Sequence, residues 1–268
     1  MPAAGAHVIR SGKAPEATLV FWLIKILATT VGETGGDAVS MSMGLGYLVG
    51  TLVFAVAFSV LACLQIRADR FRPALYWATI IASTTVGTTL ADLATRSLGI
   101  GYPGGSALLV LLLLASLATW KRVTGTISIA GVGGPRSEAF YWTTIMASQT
   151  LGTALGDWVA DTAGLGYTGG MLVFGVPLAA VAALYWSTRV SRTGLFWIAF
   201  VLTRPLGAVV GDFLDKPATQ GGLELSRYTV SAALLGAIAL LVAMIPQRPA
   251  VAARGAGATV QPVHGRGG

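Results

Sequence analysis

Four aspartates recur in this chain at one register. Asp37, Asp92, Asp157 and Asp212 each stand fifteen residues after a tryptophan, namely Trp22, Trp77, Trp142 and Trp197. Each closes an otherwise apolar stretch, as in SQTLGTALGDW at 148–158. A charged side chain at the centre of a bilayer costs roughly 3 kcal/mol or more. Such an acid is tolerable if it binds a cation, carries a proton or pairs with a base. On a helix, the positions seven, eleven and fifteen residues after the tryptophan share one face. They read Thr29/Glu33/Asp37, Thr84/Thr88/Asp92, Gln149/Thr153/Asp157 and Arg204/Ala208/Asp212. The candidate ion-binding residues are therefore Asp37, Asp92, Asp157, Asp212, Glu33, Thr88, Thr153 and Gln149. Lys25 and Arg204 are the bases within these stretches and the candidate charge partners. Five acids face two bases, so a fully ionised core is negative by three. That surplus points to a cation site or proton-linked chemistry, with the identity of any metal open. The other reading is structural: an Asp after Gly near a helix end can cap loop N–H groups. Four copies at one depth make either a ring or two facing pairs.

The elements that must position these residues are membrane helices. Hydrophobic residues make up 54% of the 268, charged residues 11%, and mean hydropathy is +0.72. A soluble domain carries roughly 25% charged residues. A bilayer crossing takes about 20 mostly apolar residues, and eight stretches qualify: about 17–38, 48–66, 73–93, 104–120, 138–159, 169–187, 193–213 and 228–246. Four are plainly apolar; the other four carry the aspartates. Glycine follows each tryptophan by ten residues (Gly32, Gly87, Gly152, Gly207), and Gly36, Ala91, Gly156 and Gly211 follow four later. Small residues at that spacing let helix backbones approach closely. The fold class expected is thus all-α, with eight transmembrane helices as four parallel hairpin repeats (about 17–66, 73–120, 138–187 and 193–246), the polar helices inside and the apolar ones outside. Residues 1–16 form a cytoplasmic tail with no signal peptide. Residues 247–268, rich in Gly, Ala, Pro and Arg, form a disordered tail.

Nine residues after each Asp comes another glycine, within GLGY at 44–47, GIGY at 99–102 and GLGY at 164–167; the fourth copy has QGGL. These sequences are like potassium-filter loops only superficially, since no pore helix separates the spans. With the tryptophan register, they resemble the bacterial membrane proteins built from four tandem copies of a "repeat of unknown function", each with two transmembrane segments and a tryptophan. The resemblance covers roughly 17–246. It implies the architecture and brings no established activity.

Thirteen of the eighteen Lys and Arg residues lie in the termini or between hairpins: Arg10, Lys13, Arg67, Arg70, Arg72, Lys121, Arg122, Arg136, Arg189, Arg192, Arg248, Arg254 and Arg266. Arg96, Lys216 and Arg227 lie on the other side. By the positive-inside rule both termini are cytoplasmic, in a bacterial plasma membrane. Trp22, Trp77, Trp142 and Trp197 are then expected at the membrane interface. The basic balance serves orientation and lipid contact, so nucleic acid is not a partner. The partners expected are the bilayer and a small cation, with homo-oligomerisation open. The only histidines, His7 and His264, lie in the tails, and Cys63 is the sole cysteine. No nucleophile with a partner and no P-loop is present. Neither an enzyme nor a cofactor is expected, which leaves a small cation transporter or channel, or a non-transporting scaffold.

Overall fold

The computed structural model describes residues 12–251 and contains eight α-helices. Four carry the aspartates: α1 (Leu19–Asp37), α3 (Pro73–Asp92), α5 (Pro135–Asp157) and α7 (Arg192–Asp215). Between them run α2 (Gly46–Arg67), α4 (Tyr102–Thr124), α6 (Gly166–Ser187) and α8 (Arg227–Met244). Local sequence explains the starts. Pro73 and Pro135 occupy the first turns of α3 and α5, where the missing N–H costs nothing. The Thr18 and Ser191 hydroxyls accept from the backbone N–H groups of Phe21 and Gly194, opening α1 and α7. Beyond Asp37, Asp92 and Asp157 the helix widens into one π-helical turn. The chain then reverses through two left-handed glycines, Gly44 and Gly46 (φ 68° and 73°) in the first copy. This is the demand behind G-[LI]-G-Y: both glycines need positive φ.

Among the described residues six helices are long and apolar enough to cross a membrane, and the chain is a multi-pass membrane protein on that ground. The exceptions, α3 and α5, have 20 and 23 residues but carry more threonine, serine and glutamine. Like α1 and α7 they are shielded by protein, because α1, α3, α5 and α7 close into a ring in that order, with α7 back against α1. All four aspartates gather at one end of this ring and all four aromatic pairs at the other, so the ring helices run in one direction. The remaining helices surround it. Each packs on the ring helix of the next repeat: α2 on α3, α4 on α5, α6 on α7, and α8 on α1. Their outward leucines stay exposed, with Leu111 at 65% and Leu172 at 66%.

Interlocking of small and large residues fixes the ring. An added Cβ on Gly32 would overlap Thr84, on Gly87 it would meet Gln149, on Gly152 it would overlap Arg204, and on Gly207 it would overlap Thr29. In every case the glycine ten residues after one tryptophan receives the side chain seven residues after the next. One turn further along, Gly36 faces Thr88, Gly156 faces Ala208 and Gly211 faces Glu33. Hydroxyls span the same seams, with Thr84 Oγ1 3.1 Å from the Ala28 carbonyl and Thr29 Oγ1 3.2 Å from that of Thr203.

The tryptophan end differs from the interface belt the sequence suggests. Trp77, Trp142 and Trp197 are buried in protein, and Trp22 is half-buried. The Trp77 indole donates to Gln247 Oε1 (2.7 Å) and that of Trp197 to the Ile127 carbonyl (2.9 Å). The rings turn inward because Phe21, Tyr76, Tyr141 and Phe196 beside them build a continuous aromatic core. The terminal segments cover this core. Pro15 pairs with Pro249, and the buried Lys13 ammonium binds Glu138 and the Ala68 carbonyl. Residues 247–250 are thus ordered against 12–16, contrary to the disorder expected from 247 onward; the rest of that tail lies outside the described residues.

Candidate functional site

The side chains of the ring helices stack in layers, four residues apart, along the ring axis. Phe21, Tyr76, Tyr141 and Phe196 form the first layer. Lys25, Ile80, Ile145 and Phe200 form the second, each fully buried. Then come Thr29, Thr84, Gln149 and Arg204; next Glu33, Thr88, Thr153 and Ala208; and last Asp37, Asp92, Asp157 and Asp212. Every one of these polar residues is nearly or completely buried.

Arg204 is the centre of the middle layers. Its Nη2 lies 3.1 Å from Glu33 Oε2 and 2.6 Å from Thr88 Oγ1, and it also reaches Thr153 Oγ1. Three residues of one layer therefore converge on a single guanidinium from the layer below. The fourth copy makes this possible by carrying Ala208 where the others carry Glu or Thr, which leaves the axis free for the arginine. Thr88 also donates to Glu33 (3.2 Å). Gln149 takes no part in this cluster; its amide donates to Ser83 (3.4 Å). Lys25 is not a charge partner of any acid. Its ammonium lies over the Phe200 ring, 4.2 Å from the centroid, with no hydrogen-bond partner among the described residues. It lies two layers below Glu33, on the apolar side of Arg204.

The aspartate layer resolves into two facing pairs, each sharing a base. Arg96 Nε is 2.8 Å from Asp92 Oδ1, and its Nη2 is 3.4 Å from Asp157 Oδ2. Lys216 Nζ is 3.1 Å from Asp212 Oδ1 and also contacts Asp37 Oδ2. Arg227 adds a third base, 3.6 Å from Asp37 and 3.1 Å from Asp215. The Tyr102 hydroxyl lies 3.4 Å from Asp157 Oδ2. None of Asp37, Asp92 and Asp157 caps the turn that follows it with its side chain. Burial works against the charge on Lys216, yet Asp212 and Asp37 more than offset it, so the ammonium titrates well above its ordinary range.

These bases change the charge balance drawn from the sequence. Counting Arg96, Lys216 and Arg227 with the outer loops left a negative core; they fold back into the aspartate layer and neutralise much of it. A signal for two of them was present. Arg96 and Lys216 each follow an aspartate by four residues, one helical turn on the same face. The second and fourth repeats carry this base, whereas the first and third have Met41 and Asp161 there.

The two pairs are not alike. On the Lys216 side, Glu33, Asp37 and Asp212 each offer a buried oxygen within 4.8 Å of the others, a spacing at which carboxylates can hold a metal ion. The Arg96 side has Thr88 and Thr153 where Glu33 stands.

The family model described as Repeat of Unknown Function (DUF347) matches the chain four times, over residues 20–71, 75–126, 140–191 and 195–245. No curated protein and no solved structure matches it. Each match takes in one ring helix with its aspartate and the covering helix that follows. Together the matches span well over half of the sequence, and the chain belongs to the Repeat of Unknown Function family as four tandem copies.

Proposed function

We propose that this protein is an eight-span membrane transporter or channel that handles a small cation at its aspartate layer. In this reading α3 and α5 also cross the bilayer, shielded by their neighbours, with the tryptophan end and both termini on the cytoplasmic side of a plasma membrane. No enzymatic step is involved. The observation that carries the proposal is the seat of Lys216. Its ammonium lies between Asp37 and Asp212, beside Glu33, where a free cation could sit instead. Lysine is a compact charge on a flexible stem, and residue 216 lies just past the end of α7. Withdrawal of the ammonium would free Asp212 and leave Asp37 with Arg227 alone, next to the Glu33 carboxylate that Arg204 holds within 4.8 Å of both. Arg96, held by two carboxylates on the opposite side, is the fixed counter-ion.

The test is cation-dependent melting of the detergent-purified protein with sodium, potassium, magnesium, manganese, zinc and nickel. One of these is expected to raise the apparent melting temperature. A site filled at a hundredfold excess over its Kd gains about 2.7 kcal/mol. The response should vanish in Asp37→Asn/Asp212→Asn and grow in Lys216→Met, which removes the competitor. Flux of the same ion into proteoliposomes then separates transport from binding. A flat response in both wild type and Lys216→Met defeats the proposal. It would favour the second reading, a scaffold stapled by charge, which the pairing of all four aspartates with bases supports.

A further inference from the structure

The four repeats leave four seams at the tryptophan end, each beside one tryptophan. Three are filled by protein. Phe58 lies against Trp142 (6.3 Å between ring centroids), Trp120 against Trp197 (5.7 Å), and Gln247 bonds Trp77. The fourth, between α1 and the α6–α7 pair, is open as a cavity of about 590 Å³ with Trp22 in its wall. One register position sets α6 apart from α2 and α4. Nineteen residues after the second glycine of G-[LI]-G-Y stand Gln65, Trp120 and Tyr185. Gln65 and Trp120 are each 1% exposed and point inward, whereas Tyr185 is 45% exposed and stands at the mouth of the cavity.

The cavity is graded along its length. Ile26, Leu178 and Val181 line its deep part, and Glu16, Tyr185 and Arg192 line its mouth. From Leu178 to Trp186 of α6, both in its lining, is a rise of eight residues, which at 1.5 Å per residue is about 12 Å. The Arg192 guanidinium lies over the Tyr185 ring (4.3 Å to the centroid) and donates to the Tyr185 and Thr188 carbonyls. That uses two of its five N–H donors and leaves the others for a ligand.

We infer that this cavity is a binding site for a phospholipid with a free-amine headgroup, of the phosphatidylethanolamine type. The acyl chain fills the apolar seam that Phe58 or Trp120 fills elsewhere. The phosphate takes the remaining donors of Arg192, a guanidinium well matched to phosphate oxygens. The primary ammonium faces the Glu16 carboxylate. One base and one acid at the mouth fit a zwitterion better than a net anion, and an amine with N–H donors better than a quaternary one. The site lies at the end of the protein opposite the aspartate layer, so its test stands apart from the cation proposal.

The experiment is native mass spectrometry of the purified protein supplied with dioleoyl phosphatidylethanolamine, phosphatidylcholine or phosphatidylglycerol at equal mole fraction. The ethanolamine lipid should be retained best. Ala182→Trp, which fills the seam from α6, should abolish that adduct, whereas Leu111→Trp on the exposed face of α4 should leave it. Arg192→Gln should weaken retention of the ethanolamine and choline lipids alike, by roughly tenfold for one charge-assisted contact. Glu16→Gln should lower the ethanolamine lipid to the level of the choline lipid. Both charge variants lie at exposed positions and leave the core untouched. Equal retention of the ethanolamine and choline lipids by wild type, preference for phosphatidylglycerol, or an adduct that survives Ala182→Trp would each overturn the assignment.

Discussion

The two halves of the ring axis are built on one register and closed by opposite means. Toward the tryptophan end, Ile80, Ile145, Phe200 and the Phe21–Tyr76–Tyr141–Phe196 layer fill the axis with apolar contact, with the one base there, Lys25, laid over the Phe200 ring. Toward the aspartate end, closure depends on ion pairs centred on Arg204, Arg96 and Lys216. Apolar contact has no substitute available in solution. An ion pair has one, because a dissolved cation can replace its positive member. On the proposed reading, the difference teaches where the protein can respond to a dissolved cation: the charged half would exchange partners while the apolar half holds the four helices together.

The largest effect should come from breaking the charged half at its centre. Arg204→Met leaves Glu33 buried without its base, and losing one member of a buried pair costs roughly 3–5 kcal/mol. In detergent melting this variant should be the least stable, and adding Glu33→Gln should restore much of the loss. A double variant no better than the single would show that Arg204 acts through packing against Gly152 alone. A smaller effect tests the seams that both halves share. An added Cβ on Gly87 lies 2.9 Å from the Gln149 backbone, which cannot move aside. Gly87→Ala should therefore cost roughly 1–3 kcal/mol, with no dependence on salt or cation. The smallest change sharpens the apolar side. Tyr76→Phe removes the hydrogen bond between the Tyr76 and Tyr141 hydroxyls, worth about 1 kcal/mol. It should leave any cation response of the melting temperature untouched; a shift in that response would join the two halves into one device.

Much of this layering was legible in the sequence because it repeats. The intervals from tryptophan to glycine and to aspartate place corresponding residues at one height, and helical spacing collects Glu33, Thr88 and Thr153 on one face. What the sequence concealed depends on who covers whom. Trp77, Trp142 and Trp197 look like interface anchors until Phe58 of α2, Trp120 of α4, the loop at Ile127 and Gln247 close over them. Arg96 and Lys216 look like loop charges until the turn that carries them folds back one helical turn beyond Asp92 and Asp212. Lys25 looks like a charge partner for the acids, but the Arg204 layer of the ring lies between it and Glu33. The open seam beside Trp22 is the hardest to foresee, since Tyr185 shares its register with Trp120 and differs only in which way it turns.

The covering of each ring helix by the helix of the preceding repeat carries a consequence for biogenesis. Because α8 closes over α1, the first of these eight helices to be synthesised is the last to acquire its cover. Until then α1 holds Lys25, Glu33 and Asp37 on a single helix, with no Arg204 or Lys216 yet made to meet them. Assembly must therefore wait for the far end of the chain, in contrast to proteins that fold domain by domain during synthesis. A chain halted before α8 should leave the α8-facing side of α1 uncovered, so that truncation at the far end of the bundle is felt first at its first helix.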